Sequence, residues 1–338
     1  MTTTTRLEPI DAQQMRAAAS GASGLPVEQS EAWERFEISQ GRGCWGRFAW
    51  FEGSKRVAVI ALYEYRVRNW RYLWAKWGPV WIKEATPERE AALRADLAAH
   101  ARATDPGLTF IRLHATYSAP DLRPLLQTMT FDRTIVVDTS SGTEEGILDS
   151  MPTDGKRSIR RALKRADEES LTLTEDTGVD EAGFAEHYAV LVETAERDGF
   201  RPHPASTYLS MLDTLGPEHA RLFSMRDAQG RVLCWDIVLV NDRRAQAEYG
   251  ASTDAARRLG APPLLDYRVA AILGAEGVRG FDLMGIHSPR VPELFGVGKY
   301  KSAFAARYTD VPGGWDMPLK ERTYAMLVSL LRLKYRAR

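Results

Sequence analysis

Cysteine is nearly missing from this chain: Cys44 and Cys234 are the only two in 338 residues, far apart and each set among strand-forming neighbours. That excludes a disulfide framework and a cysteine-based zinc site, and the expectation is two buried free thiols. Long apolar runs are missing too. None approaches the roughly 20 residues a bilayer span needs, and the opening MTTTTRLEPIDAQQ has no signal-peptide core, so the expected compartment is the cytosol. Net charge is also missing, since 45 Lys+Arg balance 45 Asp+Glu. The balance argues against a protein that grips nucleic acid over a wide surface, but it permits a local basic groove. Serine, histidine and aspartate occur without a nucleophile-elbow motif, and no metal-ligand spacing is present. Lysine is scarce beside arginine, and Lys156, Lys164, Lys299 and Lys301 fall in two segments that stand out for other reasons.

What is present fits a globular chain with a full core: 44% of residues are hydrophobic, and the length suggests about two domains. After a polar leader, Ser30 caps a helix that buries Trp33 and Phe36. WGRFAWFE and RVAVIALYEYRV alternate as a hairpin, and YLWAKWGPVW adds a third strand. A helix from Thr86 to Thr104 follows, then the strand LTFIRLHA, a short helix over APDLRPLLQ and a closing strand FDRTIVVD. Trp70, Trp74, Trp77 and Trp81 are either core and rim of this sheet or a platform for a sugar or base.

From Ser150 the pattern changes. KRSIRRALKRADEE sets Ile159, Ala162, Leu163 and Ala166 on one helical face and Lys156, Arg157, Arg160, Arg161, Lys164 and Arg165 around the other, either a solvated face or one that meets phosphate. RLFSMRD and RVLCWDIVLV form a second hairpin, with AQAEYGAS as its third strand. A basic, glycine-containing turn (Arg257, Arg258, Leu259, Gly260, Ala261) then leads into a helix opened by Pro262 and Pro263, the strand of Phe281 to Met284, and a loop to Lys299, Tyr300, Lys301 and Phe304. A helix N-terminus after such a turn is an anion site in principle. The order hairpin, third strand, Gly/Pro turn, helix, strand thus occurs twice, as expected for two copies of one α+β unit. The tail is a cationic amphipathic helix with Tyr324, Leu327, Val328, Leu331 and Tyr335 near one stripe, suited to packing on the first domain or to an anionic membrane surface.

The run YGAS, RRLGAPPLL, GFDLMGI, LFGVGKYKSAF resembles the second domain of the FemABX family, bacterial peptidyltransferases that move an amino acid from aminoacyl-tRNA onto a peptidoglycan precursor. The repeated unit also resembles the acetyltransferase superfamily abbreviated GNAT, whose pre-helix turn is matched by Arg257 and Gly260 and departs at Pro262. The resemblance implies two tandem GNAT-like domains, each a mixed sheet flanked by helices. Residues 1–148 with 317–338 would bind the precursor, residues 149–316 would take the aminoacyl-tRNA end, and the last helix would pack back on the first domain.

By the same resemblance, Lys301 stabilises the developing oxyanion, Tyr249 hydrogen-bonds ester or acceptor, and Tyr300 stacks on a base. Arg201 and Tyr208 contact the precursor, with Lys299, Arg257, Arg258, Lys156, Arg160, Arg161, Lys164 and Trp77 as further binding residues. Where family members carry a lysine four residues after the first helix's tryptophan, this chain has Glu37. The acceptor implied is a muropeptide carried on UDP or on lipid, with contact at the inner membrane face and no cofactor. His287, Asp282 and His114 are the candidate bases for the attacking amine. Competing readings are an acyl-CoA-dependent GNAT, tRNA-dependent peptide-bond formation on another amine such as a small peptide antibiotic, and a non-catalytic binding module.

Overall fold

The computed structural model describes residues 4–20, 24–125 and 130–336, with side chains up to Leu333. Two compact units divide the chain: Met1–Asp132 with Val311–Arg338, and Arg133–Asp310.

Unit 1 starts earlier than the sequence pattern suggests. β1 (Thr5–Pro9) lies in the leader and pairs antiparallel along β2, which follows α1 (Ala12–Ala19) and α2 (Glu31–Ser39). Ser30 does cap α2, its Oγ accepting from Trp33 N, and Trp33 and Phe36 are buried. β2 (Cys44–Glu52), β3 (Lys55–Val67) and β4 (Trp70–Trp74) make the meander, and β5 (Val80–Trp81) pairs with β3. α3 (Pro87–Thr104) starts at a Thr86 cap with proline in its first turn and buries Leu93 and Leu97, as its apolar spacing requires. β6 (Leu108–Ala115) then returns parallel to β4. Residues 119–125 form no helix; Arg123 instead bridges to Asp316, and the rest of that expected helix lies outside the described residues.

Where the first sheet should close, the chain leaves it. β7 (Arg133–Asp138) pairs with the later strand Gly280–Gly285 of the second unit, so the boundary falls at 132/133 rather than 148/149. α4 (Glu144–Ser150), α5 (Thr153–Glu169), β8 (Thr172–Glu175), α6 (Glu181–Asp198) and α7 (Ala205–Leu215) follow. β9 (Ala220–Arg226), β10 (Val232–Asn241) and β11 (Arg244–Ser252) form the second meander, and α8 (Asp254–Leu259) and α9 (Ala261–Ala275) carry the chain to β12 (Gly280–Gly285). α10 (Phe295–Lys301) and β13 (Thr309–Asp310) complete unit 2. β14 (Gly313–Pro318) and α11 (Glu321–Arg336) belong to unit 1 again, because β14 pairs with β6. The second boundary is therefore 310/311, not 316/317.

The sheets read β1-β2-β3-β4-β6-β14 and β8-β9-β10-β11-β12-β7-β13. Aligned on their meanders and on the parallel partner after the long helix, the two orders are one topology used twice. α11 docks its stripe on unit 1, with Tyr324, Leu327 and Leu331 buried beside Tyr72 and Phe110; the side chain of Tyr335 lies outside the described residues. Cys234 is buried, whereas Cys44 is only partly so. Among the described residues, no helix is long and apolar enough to cross a membrane.

Candidate functional site

The site of unit 2 begins with two strands that part. β11 and β12 pair in parallel at only three positions, Arg244 with Gly280, Ala245 with Phe281 and Gln246 with Asp282, after which β11 runs on to Ser252 without β12. β10 and β11 shift register beside this gap, between Ile237 and Val238, which increases the local twist. Unit 1 keeps its matching strands joined further, through Ala75 N to Arg112 O (2.9 Å) and His114 N to Gly78 O (2.8 Å). The opening is thus a feature of the second copy.

Around it stand groups that the sequence pattern did not single out. Asp236 projects from β10 and Asp266 from α9, and the two carboxyls share a hydrogen bond. Tyr300 donates its hydroxyl to Asp266 Oδ2. Lys301 donates to Gly285 O (3.1 Å) and faces Asp266, Asp282 and Asp236. Asp282 Oδ1 accepts from Thr134 Oγ1 and from Met284 N (2.6 Å). Met284 adopts φ 67°, a left-handed conformation unusual for its residue type, next to where Lys301 is held.

Three carboxyls about one ammonium cannot all be ionised in a partly dry site. Burial, reinforced by the neighbouring Asp266, pushes Asp236 well above the ordinary aspartate range. Burial also pushes Asp266 up to about 6, against the Tyr300 hydroxyl and Lys301, and it raises Asp282. Burial lowers Lys301, and the three carboxylates oppose that. The arrangement can hold a cation beside a reacting carbonyl and can store a proton within hydrogen-bond reach.

The expected anion site before α9 is not an open cradle. The basic turn is a short helix, α8, capped by Thr253, whose Oγ1 accepts from Ala256 N at 3.0 Å, and joined to α9 by Gly260 at φ +75°. Pro262 and Pro263 have no N–H, so half of the four first-turn donors of α9 are absent. α5 also packs over this end: Ala162 Cβ lies 3.5 Å from where a Gly260 Cβ would stand, and Arg165 donates to Arg258 O. That places the cations of α5 beside α8. Arg160, Arg161, Lys164, Arg257 and Arg258 are all exposed, with Lys164 3.7 Å from Glu168.

α5 is fixed at its start by Gly155, which lies so close to Ala303 O that a Cβ would collide with that backbone oxygen. Gly155→Ala is expected to lower the urea midpoint of the chain and weaken any activity that needs Lys301, since the collision is with backbone rather than a movable side chain. A variant as stable and as active as the parent would contradict this packing.

Other expected site residues stand elsewhere. Register and alternation put Tyr249 on the opposite face of the sheet from Asp236, its ring edge-on to Tyr208 at 5.0 Å, so it does not join the Lys301 cluster. Tyr208 is 2% exposed and its hydroxyl accepts from His203 N (3.2 Å), which makes it a core residue rather than a rim contact. Tyr300 is anchored to Asp266 instead of presenting a free ring. Lys156 is half-buried and lies 3.7 Å from Asp149, while Arg201 and Lys299 are exposed. Of the candidate bases, His114 belongs to unit 1, where it contacts Pro312 O and stacks on Trp77 with centroids 4.7 Å apart; His287 is exposed beside Phe295. In unit 1, Glu37 is fully buried and bonded to Arg42 and to the Tyr65 hydroxyl (2.5 Å), an internal role that leaves it no ligand-facing function.

Residues 153–302 match the family described as Acetyltransferase (GNAT) domain. The match lies wholly within the second unit, whose strand order the first unit repeats. Among solved structures the chain is similar to FemX, with a TM-score of 0.74 and 14% identity over 96% of this chain and 100% of that one. It is also similar to L-PGS from Bacillus licheniformis (TM-score 0.56, 11% identity, 96% and 98% covered). A tandem GNAT protein from the clavulanic acid biosynthesis pathway gives a TM-score of 0.52 at 11% identity, with 94% and 99% covered. At these identities the likeness is one of fold. No curated protein matches the chain.

Proposed function

We propose that the chain is an aminoacyltransferase that moves an amino acid from aminoacyl-tRNA to an amine of a UDP-linked or lipid-linked peptidoglycan precursor, working at the cytosolic side of the cell. The observation that carries this reading is the state of the α9 N-terminus. An acyl-CoA donor in this fold would lay its pyrophosphate there, but two of the four donors are proline nitrogens and α5 lies across the approach. The neighbouring surface instead offers a row of exposed cations suited to a phosphodiester backbone. An ester of tRNA is already activated, so the protein needs to align the two substrates and stabilise the oxyanion, the role this reading gives to Lys301. The match to an acetyltransferase domain favours the acyl-CoA donor as the second reading.

The test offers the protein a panel of labelled charged tRNAs and, separately, acyl-CoA, each with a UDP-linked muropeptide. Label should reach the peptide from tRNA only; acylation from acyl-CoA alone would reverse the order of the two readings. In the active pairing, replacing Arg160, Arg161 and Lys164 by glutamate should raise KM for charged tRNA by about tenfold or more, leave kcat nearly unchanged and reduce the salt dependence. An unchanged KM and salt slope would remove α5 from the donor site.

A further inference from the structure

Amine acylation needs a group to take the proton of the attacking ammonium, and among the described residues of unit 2 one carboxyl is set apart by geometry. Asp236 pairs across the β10–β11 ladder with Gly250, and a Cβ at Gly250 would stand 2.5 Å from Asp236 Oδ1. Its carboxyl therefore leans over β11, toward the side from which β12 has separated, and only glycine leaves it room. Asp236 keeps some exposure, while its partner Asp266 is 6% exposed. Asp282, the other carboxyl facing Lys301, is committed to Thr134 and Met284 N.

We propose that Asp236 is the catalytic proton acceptor for the attacking amine, with Asp266 and Tyr300 as the positioning residues behind it. The proposal rests on the reading of the chain as an amine acyltransferase, and it holds for either acyl donor. The Asp236–Asp266 pair carries one proton in the hydrogen bond between the two carboxyls. When the ammonium gives up a proton to the outer oxygen of Asp236, the inner proton passes to Asp266, so the pair ends neutral and the amine ends with a free lone pair. Attack then forms the new C–N bond. As the C–O or C–S bond breaks, the pair returns its extra proton to the leaving oxygen or sulfur, then takes the proton that the nitrogen sheds on becoming an amide and releases it to water. The groups facing Asp236 are Asp266 from α9, Tyr300 and Lys301 from α10 and the Cys234 thiol of its own strand, with Glu248 and Arg244 on the adjacent β11. Lys301 keeps the pair from holding its second proton too tightly.

The test compares two nucleophiles on one enzyme: a UDP-linked muropeptide with its side-chain amine, and the same molecule with an aminooxy group in that place, which is unprotonated at neutral pH. With whichever donor supports transfer, Asp236→Asn should lower kcat/KM for the amine by about 10²–10⁴-fold, the usual worth of a general base. It should leave the aminooxy acceptor within a few-fold of the parent, and the acid limb of the parent's pH profile should be lost. Gly250→Ala keeps both aspartates but displaces the Asp236 carboxyl, and should reproduce the same selective loss. Equal losses on both nucleophiles, or none on either, would overturn the assignment of Asp236. A parent protein inactive with every donor would instead sink the acyltransferase reading and the base with it.

Discussion

Lys301→Met should reduce acyl transfer by about 10²–10³-fold, the cost typical of removing one preorganised donor to an oxyanion. The loss should lie in kcat, since Lys301 is held by Gly285 O and surrounded by carboxylates rather than reaching out to bind substrate at a distance. A second effect distinguishes the lysine from a generic core residue. Asp236, Asp266 and Asp282 have folded-state pKa values raised above their unfolded ones. Such groups contribute stability that is fully present below the unfolded carboxylate range and lost as pH rises through the folded values. Removing Lys301 raises those folded values further. The variant should consequently match the parent in urea unfolding near pH 5 and fall behind it at pH 8. A stability deficit independent of pH, or kcat unchanged, would contradict the placement of the ammonium among the three carboxyls.

Asp316→Ala should cost unit 1 about 3–5 kcal/mol in urea unfolding, the range for leaving one member of a buried ion pair without its partner. Asp316 is 2% exposed and takes Arg112 Nε at 2.7 Å, Arg112 Nη2 at 3.1 Å and the Tyr324 hydroxyl at 3.0 Å. Arg112 itself is buried against the rings of Tyr72, Trp74 and Phe110 and cannot swing out to water. Because Asp316 sits on β14 and Tyr324 on α11, the same substitution loosens the tail from the unit it completes. The pair Arg112→Met with Asp316→Ala should recover much of the loss, since no charge then stays buried. A loss under about 1 kcal/mol for Asp316→Ala would mean that the tail is not held this way.

Much of the fold was legible because it is written in local patterns. Alternation marked both hairpins, Thr86 and Ser30 marked helix starts, and Pro262–Pro263 marked the opening turn of α9. Strand exchange was not legible: FDRTIVVD reads as a closing strand in any sheet, and only the pairing of Val137 with Phe281 says which one it closes. The turn before α9 misled for a related reason, since Arg257 and Gly260 fit a phosphate loop, but Thr253 caps the same residues into α8. At the candidate site, the motif pointed to the Tyr300–Lys301 step. Asp236 and Asp266 were passed over although they carried a signal: each is a lone carboxylate inside an apolar run, VLCWDIVLV and PPLLDYRVAAIL, where burial demands a partner. Which face of the sheet Tyr249 takes was not legible, because it depends on its pairing with Ile237 beside the register shift of β10–β11.

The division of the first unit between the two ends of the chain bears on how the protein is made. A ribosome has already released everything unit 2 requires once Asp310 emerges, whereas the first sheet still lacks its β14 edge and the apolar surface of Tyr72 and Phe110 still lacks its cover. The later lobe is thus free to mature before the earlier one, and in the growing chain it is the N-terminal half that waits, open to chaperones, for the last residues to arrive.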